Sequence, residues 1–532
     1  MDKIAVILFR IVSRPSRYFI SFIELSFESK LSIFTSFYRS FFLTILPFFS
    51  SAQLITNVQL IDGTGKPAYK TSVRITENRI GAVGQLTANK NELVIDGKGM
   101  VLAPGFIDAH SHHFGDVQNN TDALSTSNQG ITTIVIGQDG SGYYMDTLIA
   151  KMKKNPVAVN VASYTGHTSL REEVMGENDV LRKASQVEID KMKSRLESEL
   201  KKGSLGLSTG LEYEEAFYST KDEVMQLSKV AAAKKGRYIS HIRSEDVTMD
   251  DALNEIIEIG RATKMPVQIS HLKIAKKSDW GTAQQVISKL EQARKEGINI
   301  TADVYPYNFW HSTMRVLFPA RDYTNATSAE FAVNQLFDPS QSRLANYAPV
   351  PSYKGKTISE IATSRNESNA QTLMKLIAMA TDFKEKNPGS GGVEAICAKS
   401  MSDADVVDFI AWPHAGICSD GNAGAHPRGY GSFTRVLGVY VREQKLLSLE
   451  EAIHKMTGLT AENLGIRERG IIKSGNYADL VLFNPETVID RATIENSKAL
   501  SEGIEMVIVN GKIIYKSGKA TSQKPGMLVK RQ

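Results

Sequence analysis

With 532 residues, 42% of them hydrophobic and 23% charged, the chain has the composition of a globular protein and none of the biases of a disordered or collagenous one. The formal charge of +5 is mostly local, because residues 1–52 carry Lys3, Arg10, Arg14, Arg17, Lys30 and Arg39 against Asp2, Glu24 and Glu28. The remainder is near neutral and has no long Lys/Arg run, which excludes the counterion-release drive of a nucleic-acid binder, and two cysteines, Cys397 and Cys418, give no disulfide framework.

In chain order, the first 52 residues place Arg39 before the apolar stretch Phe41 to Phe49 and then Ser50-Ser51-Ala52. The run is too short to span a bilayer as a helix. Charge, apolar run and small residues in that order predict a signal peptide cleaved after Ala52 and an exported protein, periplasmic or extracellular, with no membrane span after signal removal. The alternatives are an amphipathic anchor or a start codon misassigned upstream of the real signal, and without a working signal the chain stays cytoplasmic. No Cys stands near the cleavage site, which argues against a lipid anchor.

From 53 to 103 the segments ITNVQLIDGTG, SVRITENRIGAVG and LVIDGKGMVLAPG alternate apolar and polar residues between Asp-Gly and Asn turn signals, the pattern of antiparallel strands. Residues 466–532 repeat this texture in YADLVLF and IEMVIVNGKIIY, so the two chain ends are expected to pair into one small β-sandwich. Between them, over 104–465, eight apolar segments each end in polar residues: GFIDAHSH, TTIVIGQD, VAVNVASYTGH, GSLGLSTGLEY, RYISHIRSE, VQISHLK, NITADVYPY and AGICSDG. Helical patterns over 188–202, 222–235, 248–263 and 282–296 separate several of them. Eight such units predict an α/β fold, a (β/α)8 TIM-type barrel. An open doubly wound sheet is the alternative, but no Gly-rich phosphate loop follows the first strand. The stretch from about 319 to 411 is too long for one connection and is expected to hold helices of its own, as a lid or inserted subdomain.

Successive side chains on a strand face opposite ways, so His110 and His112 in DAHSH point to one spot at the C-terminal end of the first strand, the catalytic face of a barrel. Alone, a His-x-His pair is as well explained by loop or core histidines. Other strand ends, however, carry the same kind of residue: Asp139 on the second, His241 on the fifth, His271 on the sixth and Asp420 on the eighth. Imidazole and carboxylate are natural ligands of Zn2+ and related divalent ions, so a mono- or dinuclear metal site at the barrel mouth is expected. Such an ion lowers the pKa of water to about 7 and polarises a carbonyl. Asp420 is the candidate catalytic residue, taking a proton from water and returning it to a leaving nitrogen. The bland alternative for Asp420 is a capping carboxylate in the Ser-Asp-Gly turn.

The motifs VLAPGFIDAHSH, GHTSLREEVMG, GSLGLSTGLEY, ISHIRSE, ISHLK, DVYPY, SDG with HPRGYGSF, and TAENLGIRERGIIKSGNYADLVLF resemble, together, those of the N-acyl-D-amino-acid deacylases (D-aminoacylases) of the amidohydrolase superfamily. The resemblance runs from about Leu54 to Tyr515. It implies a barrel with a β-sandwich from both chain ends, zinc as cofactor, and hydrolysis of a small N-acyl-D-amino acid to a carboxylate and a free D-amino acid. It also implies that His241 and His271 hold a tightly bound ion, and His110, His112 and Asp420 a weaker one. Asp139, in Gly137-Gln138-Asp139-Gly140, stands where the family commonly has Cys. A carboxylate is the harder donor, which shifts the preference among metals.

A clamp for the substrate's α-carboxylate is also required. Lys273 lies two residues past His271 and on its face. Tyr213, Tyr305 and Ser312 resemble family positions that meet that carboxylate, with aromatic packing the alternative for the tyrosines. Arg428 in HPRGYGSF is a further substrate-binding candidate; it and Arg243 in HIRSE are read as orienting loops or carboxylates at the mouth, or else as structural ion pairs. His167 is expected to support a ligand from behind. Cys418 is read as filling a barrel layer, and His311, His414, His426 and His454, without strand-end support, as structural or loop residues. The competing functions are a dipeptidase for D-configured or isoaspartyl residues, a cyclic-amide hydrolase of the dihydropyrimidinase or hydantoinase type, disfavoured because the fourth strand ends without the lysine that type carbamylates, and a noncatalytic binding protein.

Overall fold

The computed structural model describes residues 52–531 except 121, 122, 178 and 425; the expected signal segment lies outside the described residues but for Ala52. Eight strands make the barrel: Phe106–Asp108, Ile131–Ile136, Asn160–Ser163 with Thr165–Gly166, Gly206–Gly210, Arg237–His241, Val267–Ile269, Ile300–Val304 and Ala415–Ile417. Neighbours pair in parallel from the first strand to the third and from the third to the eighth. Closure between the eighth and the first is made just past the strand ends. There Asp108 accepts from the Ser419 backbone N–H at 2.7 Å, Asp420 N–H donates to His110 O at 2.8 Å, and His112 N–H donates to Gly421 O at 2.9 Å. The closing seam therefore runs through the residues that were expected to carry chemistry.

The helices between strands follow their end signals. Gln186–Lys202 opens on a capping box in which Ser185 and Glu188 satisfy each other's backbone N–H, and Lys221–Ala233 opens on Thr220, whose hydroxyl accepts from Glu223 N–H. Both devices satisfy donors that a helix start otherwise leaves open. Met249–Thr263 and Ala283–Lys295 lie where the apolar periodicity placed them.

The two chain ends share one nine-stranded sheet, in which Val101–Pro104 joins Gln53–Leu60 on one side and Leu480–Phe483 on the other. Alternation along these strands separates two cores. Leu102, Leu480, Leu482, Met506 and Ile508 close a small core with Val58 and Val73, while Val101, Val481, Phe483 and Val507 join the main one. Barrel and sheet are also tied by polar groups. Asp479 pairs with Arg469 and accepts from Asn160 Nδ2 at 3.0 Å and from Asn510 N–H at 2.8 Å, all buried. Among the described residues no helix is long and apolar enough to cross a membrane.

The insertion after the seventh strand holds helices of its own within the stretch of about 319–411 expected to form a lid or inserted subdomain. It begins earlier, with Phe309–Ser312, and adds an antiparallel sheet with Arg343–Tyr347 and Glu394–Lys399 to its helices. The helix Asp403–Ala411 belongs to the barrel's outer layer, where Asp405 accepts from the backbone N–H groups of Gly281 and Ala283 at 2.8 and 3.0 Å. Glu394 pins the insertion inward: its two oxygens accept from Met314 N–H at 3.1 and 3.0 Å, at the start of Met314–Leu317. Burial pushes the Glu394 carboxyl up from 4.5 to about 7. Because the folded value is the higher one, its contribution to stability is complete below pH 4.5 and is lost as the pH rises through about 7, a swing of about 3 kcal/mol. Glu394→Gln keeps an acceptor and removes the charge, so it should raise the urea unfolding midpoint at pH 8 and change it little at pH 4.5. Equal effects at the two pH values would refute this account.

Candidate metal centre

The six expected ligands come together at the C-terminal mouth of the barrel. His110 Nε2 lies 3.3 Å from His112 Nε2, and Asp139 Oδ2 is 3.2 Å from both. Asp420 Oδ1 completes the group at 3.2 Å from His112 and 3.5 Å from His110. The other Asp139 oxygen serves a second group, with Oδ1 3.3 Å from His271 Nε2 and 3.9 Å from His241 Nδ1, those nitrogens being 3.0 Å apart. Asp139 is thus shared, one oxygen to each group.

These donors fit a cation. Ligands held about 2.0–2.1 Å from a tetrahedral ion lie ~3.4 Å from one another, close to most of the separations found. Asp139 Oδ1 is buried and receives no hydrogen bond, a costly state for a carboxylate oxygen unless a positive charge faces it. The electrostatics say the same. Burial opposes charge on His112 and His271, yet Asp139 and Asp420 around the first, and Glu245 and Asp139 around the second, push them up to about 9 and about 10. The pocket attracts positive charge strongly enough to draw protons onto imidazoles that would otherwise ligate. Asp139, His271 and Asp420 also have φ of 56°, 34° and 48°, left-handed backbone that costs a non-glycine residue of order 1–3 kcal/mol and gathers at functional sites.

Behind the ligands lie partners to which the sequence reading gave no role. Glu212 accepts from His241 Nε2 at 2.8 Å, and Glu245 lies 3.1 Å from His271 Nδ1. Asp303 accepts from His271 N–H at 2.8 Å and stands 3.8 Å from His110 Nδ1. Each fixes the ring nitrogen or backbone of a ligand, as oriented metal ligands require. Their signal was present as carboxylates within GLEY, HIRSE and DVYPY, but strand-end position alone does not separate a ligand from its support.

Two adjoining cavities open here, of about 500 and 650 Å3, and Tyr213, His311, Ser312, Asp420 and Arg428 line both. His311 and His426, read as structural or loop residues, both reach this space. The strand Phe309–Ser312 brings His311 in, and His426 braces the turn before Arg428 by accepting from its backbone N–H at 3.0 Å. Burial and Arg428 lower His311 to about 4, so it is neutral. Arg428 Nη1 is 2.7 Å from Asp420 Oδ2. The contact is an ion pair outside hydrogen-bond alignment.

The remaining expected residues make contacts of other kinds. Lys273 lines the smaller cavity, where its ammonium donates to Glu245 Oε1 and Oε2 at 2.7 Å each and lies 2.6 Å from His271 Nδ1. It is therefore held beside the cavity by its ion pair with Glu245. Tyr305 lines neither cavity; its ring sits under the Arg428 guanidinium, 4.7 Å from centroid to Cζ, and its hydroxyl faces Met401 sulfur. His167 is held by Glu223 at 2.8 Å, beside the buried Arg171, and not by a ligand. Arg243 forms a two-pronged pair with Glu255, 2.8 Å on each side, the structural alternative. Cys418 is fully buried in the core beneath the site.

With this geometry in hand, comparison with known proteins is decisive. The profile of the Amidohydrolase family (Amidohydro_3) matches residues 93–341 and 414–515. The chain belongs to that family. Among its relatives, the amidohydrolase is 31% identical over 513 residues to D-aminoacylase from Alcaligenes xylosoxydans xylosoxydans, covering 90% of this chain and 97% of the other. It is also 31% identical over 505 residues to N-acyl-D-aspartate deacylase of that organism, covering 90% and 94%. The solved N-acyl-D-glutamate deacylase from Bordetella bronchiseptica, complexed with zinc and a phosphonate inhibitor, superposes with a TM-score of 0.79 at 29% identity, covering 90% of this chain and 99% of the other. Within the family the chain lies in the N-acyl-D-amino-acid deacylase branch.

Glu212→Gln and Glu245→Gln should each weaken divalent-cation binding by about 10–100-fold, read by competition with a chromophoric chelator. Unchanged affinity in both would show that these carboxylates do not govern the ligands.

Proposed function

We propose that this amidohydrolase cleaves the amide bond of N-acyl-D-amino acids, with zinc held by His110, His112, Asp139, His241, His271 and Asp420. When bound, the ion supplies Lewis acidity, acidifying water and polarising the amide carbonyl. The observation that carries the reading is the division of Asp420, whose Oδ1 faces the imidazoles while Oδ2 faces Arg428. One carboxylate thereby joins the ion pocket to an anion-binding side. Burial alone would raise Asp420, but Arg428, His110 and His112 outweigh it and hold the carboxyl well below the usual range, so it stands ionised at neutral pH. Asp420 takes a proton from the attacking water and delivers it to the departing nitrogen, which leaves poorly as an anion. Arg428, paired with Asp420 and lining both cavities, receives the α-carboxylate, and Ser312 and Tyr213 border the same place.

The fourth strand ends in Gly210-Leu211-Glu212-Tyr213, with no lysine to carbamylate, which weighs against a cyclic-amide hydrolase. Export by the segment 1–52 is part of the proposal and rests on its charge, apolar run and small residues alone.

The purified protein should lose deacylation with chelator and regain it with Zn2+. Asp420→Asn should lower kcat by about 10²–10⁴ while the ion at His241 and His271 is retained. Paired N-acetyl-D and N-acetyl-L amino acids decide stereochemistry, and turnover of the L series alone would sink the assignment.

A further inference from the structure

His110 and His112 belong to the ion pocket, but the histidine that follows them, His113, is fully buried and turned to another partner. Its Nε2 lies 2.9 Å from the carbonyl oxygen of Gly429, in the first turn of the helix Arg428–Arg435. A carbonyl only accepts, so the imidazole hydrogen sits on Nε2, and Nδ1 accepts from the Ser111 hydroxyl 3.0 Å away.

The same carbonyl receives a second side chain. Gln129, also fully buried, donates from Nε2 to Gly429 O at 2.9 Å and to Ser125 O at 2.7 Å, while its Oε1 accepts from the Phe433 N–H at 3.2 Å. A carbonyl oxygen has two lone pairs, and two side chains from outside the helix reach this one. The residue they fix is the one before it, Arg428. Its own N–H donates to His426 Nδ1 at 3.0 Å, so its backbone is anchored on both sides of Cα. There is no slack in the packing. A Cβ on Gly429 would lie 1.9 Å from Asn422 O, and one on Gly421 would lie 2.7 Å from Gly429 Cα. The start of the helix therefore rests, backbone on backbone, on the turn that carries Asp420, and the Arg428 guanidinium meets Asp420 Oδ2 at 2.7 Å.

We propose that His113 and Gln129 are positioning residues for substrate binding: by holding the Gly429 carbonyl they set where Arg428 presents its guanidinium to the substrate's α-carboxylate. This rests on the deacylase reading, in which Arg428 receives that group. Neither side chain lines either cavity, so both act through Arg428.

The test uses the zinc-loaded full chain and the N-acetyl-D-amino acid that the wild type turns over best. His113→Phe keeps a ring and removes the donor; it should raise KM by ~10-fold and change kcat by less than ~3-fold, with zinc affinity, read by chelator competition, unchanged. His113→Gln restores an N–H near the position of Nε2 and should return KM to within ~3-fold of the wild type. Gln129→Met removes the other donor to the same oxygen and should raise KM in the same way, and it decides the matter should His113→Phe not fold. A fall in kcat at unchanged KM, a loss of zinc affinity, or failure of His113→Gln to rescue overturns the inference, as does an unchanged KM in both donor-removing variants; each leaves the deacylase reading intact. No turnover of any D substrate by the wild type overturns the deacylase reading and this inference with it.

Discussion

The structure turns on holding four imidazoles and two carboxylates within a few ångströms of one another, out of water. Buried carboxylates repel each other, and a buried carboxylate oxygen without a donor is costly. The field of those carboxylates favours positive charge at His112 and His271. The left-handed backbone at Asp139, His271 and Asp420 adds to the cost of keeping the donors converged. A flexible loop would relax such strain. Here each strained residue sits just past the end of a paired barrel strand, and the turn at Asp420 is fastened to the first strand by backbone hydrogen bonds. The barrel's closure and the metal centre are therefore one structural problem with one solution.

The ring of partners behind the ligands extends this logic. Lys273 neutralises Glu245, Glu245 reaches the far nitrogen of His271, and Glu212 does the same for His241. With those nitrogens occupied, His241 presents Nδ1 and His271 presents Nε2 to Asp139. Lys273 thus governs which face of an imidazole is available, although it contacts no ligand carboxylate directly.

Much of this was legible in the sequence, because barrel strands and helices are local patterns. The DAHSH pair, the histidines of ISHIRSE and ISHLK and the aspartate of SDG announce themselves by strand-end position, and the structure brings them together. What escaped depends on contacts between distant residues. The sheet inside the insertion pairs Arg343–Tyr347 with Glu394–Lys399, across a long helical excursion that no periodicity spans. His311 was set aside because its strand belongs to that sheet and not to the barrel. Lys273 was placed on the correct face, yet the carboxylate that engages its donors comes from the neighbouring strand end, and only coordinates show that Glu245 reaches it on both oxygens.

The convergent ligands and the apolar lining of the smaller cavity come from different parts of the chain, and the connectivity explains why. The insertion leaves after the seventh strand and returns before the eighth, so it overhangs the side of the mouth where Asp420 and Arg428 emerge. Its strand Phe309–Ser312 delivers His311 and Ser312 to both cavities, while Met314–Leu317, pinned by Glu394, forms the apolar wall. Val316 and Leu336 share no hydrogen bond with any ligand, so their size and charge can change without disturbing the convergent cluster beneath. Arg428 has no such freedom. It meets Asp420 on one side and the His311 carbonyl on the other, at 3.4 Å, and any change there is felt by both the reacting side and the recognising side. A fold that keeps its strained ligand cluster in the barrel and an apolar wall in an insertion can change that wall while the ligands stay fixed.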